Sequence, residues 1–281
     1  MAVSKAAVTA SGGNMARGLQ GQTALVTGAG RGFGKAIAKR LAAEGAAVAV
    51  TSRTQPQLDA VVAEIEAAGG RALAIAADVT DRAAVARVVS ETQTRLGHIS
   101  LFVNNAGVPG PFGPIWEIDP EVWWQSQAVH IRAPLLFLRE VLPAMIQRES
   151  GRVIIVSAIA TRLIAPYLSA YCVGKIAQTR IVEELAAETQ GHGVSAFAID
   201  PGFVFTGIAE ETMNSPDAQR WLPQMVGRLR AKKDEKGGDT DLYRCAQRCV
   251  DLASGKYDAL SGKYTELTDD LDDLLRAATA R

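Results

Sequence analysis

Thr27-Gly28-Ala29-Gly30-Arg31-Gly32-Phe33-Gly34 follows a short apolar run, residues 22–27 (QTALVT), and opens a stretch of helix formers, residues 35–44. Glycines so spaced let the chain turn tightly and let its backbone come close to a bound group. A helix starting at the turn would aim free N–H groups and a partial positive charge at the same point, which suits a pyrophosphate. A glycine-rich string alone says little. Between a strand and a helix it predicts a phosphate cradle rather than an empty turn.

Outward from this turn the chain alternates. Residues 46–51, 72–77, 101–104, 152–157, 194–199 and 263–267 are short, largely apolar and predicted to be strands. Between them lie helical stretches at residues 57–68 (stopped by Gly69 and Gly70), 81–96, 120–147 and 170–190. Pro134 and Pro143 should start or kink the third of these. Strict alternation with apolar strands predicts a parallel sheet of about seven strands, covered by helices on both faces. No linker divides residues 21–281, which read as one doubly wound α/β domain behind a flexible tail, residues 1–20. The rhythm breaks at residues 207–239, where apolar residues precede a charged run. Two readings stand for this excursion, a substrate lid or a surface helix pair with its own small core.

Bulk composition narrows the partners. Of 281 residues, 30 are Lys or Arg and 30 are Asp or Glu, so no net charge points to nucleic acid or an anionic membrane. No apolar stretch reads as a signal or a membrane span. Cys172, Cys245 and Cys249 are too few for a disulfide framework, which fits a reducing, cytoplasmic setting. They and three scattered histidines show no metal-ligand spacing, and no metal is expected.

Five motifs occur in order: the glycine turn, Asp78-Val79, Asn104-Asn105-Ala106-Gly107, Tyr171-x-x-x-Lys175, and Pro201-Gly202-x-x-x-Thr206. Together they resemble the short-chain dehydrogenase/reductase family over about residues 22–206. The resemblance implies a Rossmann fold and an NAD(P)-dependent oxidoreductase working on a small-molecule carbonyl or alcohol. It places the cofactor against Gly28, Arg31, Gly32, Phe33, Gly34, Arg53, Asp78, Val79, Asn105, Ala106, Gly107, Pro201, Gly202, Val204 and Thr206, with Tyr171 and Lys175 at its nicotinamide end. It also implies a homodimer or homotetramer paired through the two long helices.

Rossmann enzymes that use NAD commonly carry an acid about 20 residues after the glycines, for the ribose 2′-hydroxyl. Here residues 51–53 read Thr-Ser-Arg, so Arg53, with Arg31, favours the 2′-phosphate of NADP(H) over NAD(H). Tyr171 is the expected proton donor and Lys175 the charge that tunes it. The family's other two catalytic positions depart. Ala158 stands where a serine is usual; Ser157 is adjacent, but alternate strand residues face opposite ways, so it could serve only if the strand end bulges or the register is off by one. His130 stands where an asparagine usually helps carry a relay water; it is a catalytic candidate or a packed histidine. Residues 108–114, Tyr167, Phe203, Phe205, Met213 and Trp221 outline an apolar substrate wall. The remaining alternative is a cofactor-binding sensor or scaffold without turnover.

Overall fold

The run TALVT is buried along its whole length and forms β1 (Thr23–Thr27), the strand about which the sheet is organised. The computed structural model describes residues 18–235 and 240–280. β2 (Ala47–Ser52), β3 (Arg71–Ala76), β4 (Ile99–Asn104), β5 (Gly151–Val156), β6 (Val194–Ile199) and β7 (Tyr264–Thr265) complete a seven-stranded sheet. Its order is β3-β2-β1-β4-β5-β6-β7, and every neighbouring pair is parallel. After β3 the chain crosses back past β1, so the order reverses between β1 and β4. A crevice opens beyond the carboxyl ends of strands at such a point.

Two apolar layers cover the sheet. One packs Ile37 and Leu41 of α1 (Gly32–Ala43) and Leu58 of α2 (Gln55–Ala67) with Cys245, Cys249 and Leu252 of α10 (Thr240–Ala253). The other packs Val85 and Val88 of α3 (Arg82–Leu96), Phe137 and Val141 of α5 (Ala133–Gln147) and Val182 of α6 (Ser169–Glu188). Phe137 stacks on Phe102 of β4 at 5.2 Å between centroids.

Three expectations change. Residues 120–147 are not one α-helix: α4 (Pro120–Gln127) and α5 are joined by a π-turn, Ala128–Arg132, in which the Ala133 N–H donates to Ala128 O, five residues back. Pro134 sits in the first turn of α5, and Pro143 lies inside it. The last strand is two residues long rather than five. The excursion folds as three short helices, α7 (Gly207–Asn214), α8 (Pro216–Trp221) and α9 (Pro223–Asp234). Its last residues, 236–239, and most of the expected tail lie outside the described residues; α11 (Leu271–Thr279) closes the chain.

Candidate active site

At the end of β1 the chain turns through Gly28, whose φ of +62° suits a residue without a side chain. A Cβ there would also stand 2.9 Å from Ala106 Cα. Asn105 ties the two strand ends together, its Nδ2 donating to Thr27 O at 3.0 Å and Gly28 O at 3.1 Å. Thr27 Oγ1 accepts from the Asn105 and Ala106 N–H groups at 3.0 and 3.1 Å. Gly34 lies beneath the turn, where a side chain would strike Gly28 O. The first turn of α1 has no acidic residue and its N-cap, Arg31, makes no side-chain cap, so its N–H groups remain for an anion.

A cleft of about 790 Å³ opens over this turn. Gly28, Arg31, Gly32 and Phe33 form its floor. Arg53, Asp78 and Val79 bound one side, and Asn105, Ala106, Gly107 and Thr206 the other. Asp78 accepts from Thr80 N and Oγ1 at 2.8 and 2.7 Å, bonds that hold its carboxyl below the usual range. An uncapped helix start, close glycine backbone and two arginines at one cleft fit the phosphates of a dinucleotide. Arg31 is also engaged by α7: its guanidinium lies over Gly207 and bonds Glu211 at 2.5 Å.

Tyr171 and Lys175 lie one turn apart on α6, the lysine Nζ 5.7 Å from the tyrosine ring centre. The His130 ring meets the same tyrosine edge-on, centroids 5.7 Å apart. Lys175 is buried, donating to Val156 O at 2.8 Å and Gln178 Oε1 at 3.1 Å. Burial pushes its amine down to about 7, with the Asp200 carboxylate opposing. Burial, with Asp200 adding, pushes the Tyr171 phenol well above its usual range, opposite in sign to the effect expected of Lys175. His130 is fully buried, and its Nε2 donates to Val108 O at 2.9 Å. Burial and the nearby Lys175 push it down to about 3, so the ring is neutral with a bare Nδ1. Pro201, Gly202 and Val204, expected at the cofactor, are not among the residues that line this cleft; Asp241 of α10 braces their turn by accepting from Phe203 N at 3.0 Å.

The family model for short chain dehydrogenases matches residues 22–217. The chain belongs to the short chain dehydrogenase family. A short chain dehydrogenase of Pseudocercospora fijiensis is 36% identical over 264 residues, 92% of this chain and 84% of that protein. The short chain dehydrogenase pigC of Monascus ruber is 31% identical over 264 residues, 92% and 82% of the two chains. Among solved structures, a metagenomic short-chain oxidoreductase in complex with NADP is similar at TM-score 0.69 and 30% identity, covering 89% of this chain and 96% of that one.

In this short chain dehydrogenase β5 pairs with β6 without a register shift, so the bulge that would present Ser157 does not form. Ser157 Oγ donates to Lys175 O at 3.2 Å and lies 3.3 Å from Thr179 Oγ1. Ala158 instead faces an apolar cluster with Phe112, Ala160, Leu168 and Cys172, against which Tyr171 packs. Ala218 of α8 and Val226 of α9 join it, so the excursion has a small core and that core is shared with the wall around Ala158. Tyr167 closes this wall at φ +68°, its ring 5.2 Å from that of Trp221. The sequence reading passed over Gln178, Asp200 and Glu211. Glutamine three residues after a lysine, one helical turn on, was the available signal for the first.

Proposed function

We propose that this protein is an NADP(H)-dependent oxidoreductase interconverting a carbonyl and a secondary alcohol, with Tyr171 passing the proton. What carries the reading is the pairing of Tyr171 with a buried, partly neutralised Lys175 beside a glycine cradle whose rim holds Arg31 and Arg53. The dinucleotide, when bound, supplies or accepts the hydride. Tyr171 keeps its proton at neutral pH and gives it up only to a far more basic developing alkoxide. Lys175 carries part of a positive charge at that pH, which favours the phenolate left behind. His130, being neutral, positions Val108 and packs on Tyr171 rather than carrying charge. The apolar cluster around Ala158 supports an apolar substrate. The exposed Trp124, Leu135, Val173 and Ile176 on α4, α5 and α6 support pairing of two copies.

NADP preference rests on Arg53 at the cleft rim, with no acid at the end of β2, and on the NADP bound to the metagenomic relative. Replacing Arg53 by Ala should cost a charge-assisted contact of about 1.5–3 kcal/mol, roughly 10- to 150-fold in NADPH affinity, and leave NADH unchanged. Tyr171→Phe should abolish turnover with cofactor binding intact; retained turnover would remove Tyr171 from the mechanism. A second reading, an NADP-binding sensor without turnover, is favoured by Ala158 alone. Tight NADPH binding with no turnover across a broad panel of carbonyls and alcohols would support it, activity restored by Ala158→Ser alone would point instead to a decayed enzyme, and wild-type reduction of carbonyls would exclude it.

A further inference from the structure

Lys175 is the one lysine that the described structure buries, and its amine is held by a chain of buried groups. Val156 O, at the end of β5, accepts from Nζ at 2.8 Å, and Gln178 Oε1 accepts at 3.1 Å. The other end of that carboxamide, Nε2, donates to the backbone carbonyl of His130 at 2.9 Å. Since a peptide carbonyl only accepts, the amide can face in one sense, with its oxygen on the lysine. Gln178 is wholly buried, so both bonds are made away from water. The carbonyl it grips belongs to the π-turn, brought close because Gly174 lets α6 approach: a Cβ there would stand 2.7 Å from His130 Cβ.

We propose that Gln178 is a positioning residue of the active site, fixing the Lys175 amine between β5 and the π-turn so that it can serve Tyr171. Building on the oxidoreductase reading, this assigns the glutamine an electrostatic as well as a geometric effect. Its carbonyl dipole favours the ammonium form, opposing the burial that favours the neutral amine. The other groups facing Nζ are few: the Tyr171 phenol on α6, the neutral His130 ring on the π-turn, and Asp200 at the end of β6. An ammonium has three donors, of which Val156 and Gln178 take two. The amide thus sets both the direction of the third and the fraction of molecules that carry it.

The test reads the lysine directly. Trace acetylation with acetic anhydride across a pH series, quantified at Lys175 by mass spectrometry, gives the midpoint of its titration without substrate. In Gln178→Glu, a carboxylate at the same reach should raise that midpoint by roughly one to three pH units. In Gln178→Leu, loss of the acceptor should lower it. The pH profile of kcat should move in the same directions, with KM for the carbonyl little changed. A purely structural glutamine would lower the melting temperature of either variant and leave the midpoint in place, and an unmoved midpoint in folded Gln178→Glu overturns the proposal. Should Gln178→Leu not fold, the near-isosteric glutamate variant decides alone. If the midpoints shift while the wild type reduces no carbonyl with NADPH, Gln178 keeps its role and the oxidoreductase reading fails.

Discussion

Glu211→Gln should tighten NADPH and leave NADH alone. Arg31, expected to meet a 2′-phosphate, is already bonded to Glu211 at 2.5 Å, with Glu210 at 4.0 Å. A phosphate must draw the guanidinium from that carboxylate, so the ion pair opposes NADPH binding by its own strength. The two side chains are 51% and 49% exposed. Pairs so open to solvent are worth about 0.2–1 kcal/mol. Removing the carboxylate should therefore lower the NADPH dissociation constant by at most about fivefold. NADH has no 2′-phosphate to compete, and its affinity should not change. The assay is energy transfer from tryptophan to the reduced nicotinamide, run at low salt and near 1 M, where exposed pairs are screened to a Debye length of about 3 Å and the gain should vanish. In an Arg31→Ala background the substitution should do nothing, because the interaction it removes is gone. Equal tightening of NADH, or a gain that survives high salt, would refute the competition.

Two other perturbations probe the π-turn. His130 is neutral in the fold, at about 3 against 6.5. The unfolded chain then binds the extra proton as pH falls from 6.5 toward 3, and stability is lost through that window. At pH 5 the loss is about 2 kcal/mol, roughly 4–8 °C in a chain of this size. His130→Asn should show a correspondingly smaller fall in melting temperature between pH 7 and pH 5; parallel curves would contradict it. Gly174→Ala places its methyl 2.7 Å from His130 Cβ and 2.8 Å from its Cγ, and should cost roughly 1–3 kcal/mol by urea denaturation. A neutral outcome would mean that α6 and the π-turn separate easily.

Much of this architecture could be read from residue order. Apolar runs such as TALVT and the glycines after them fixed the parallel strands and the cleft, because strand burial and turn chemistry both leave periodic marks. Arg53, Asp78 and Asn105, far apart in the chain, line one cleft. Two kinds of feature escaped. Residues 128–132 carry ordinary helix formers, and nothing in their spacing separates a π-turn from another turn of α-helix. Side-chain partners chosen across the fold left no local trace either: Ser157 bonds α6 from the end of the preceding strand, β5, and Glu211 meets Arg31 from 180 positions away. The upward push on the Tyr171 phenol has the same origin, since burial and Asp200 come from elements distant in sequence.

The π-turn fixes more than the placing of His130. One extra residue in a helix advances every later side chain by about 100° around the axis. Past the turn, Phe137, Val141 and Met145 fall on the buried side of α5. Shortening the segment by a single residue would restore an unbroken α-ladder, yet it would swing those three side chains off the sheet. The same count of residues therefore sets the phase of the core and the shape of the corner where His130, Tyr171 and Lys175 meet. A deletion there cannot repair one without spoiling the other, whereas exchanging His130 for another side chain leaves the phase untouched. This segment is open to substitution and closed to changes of length.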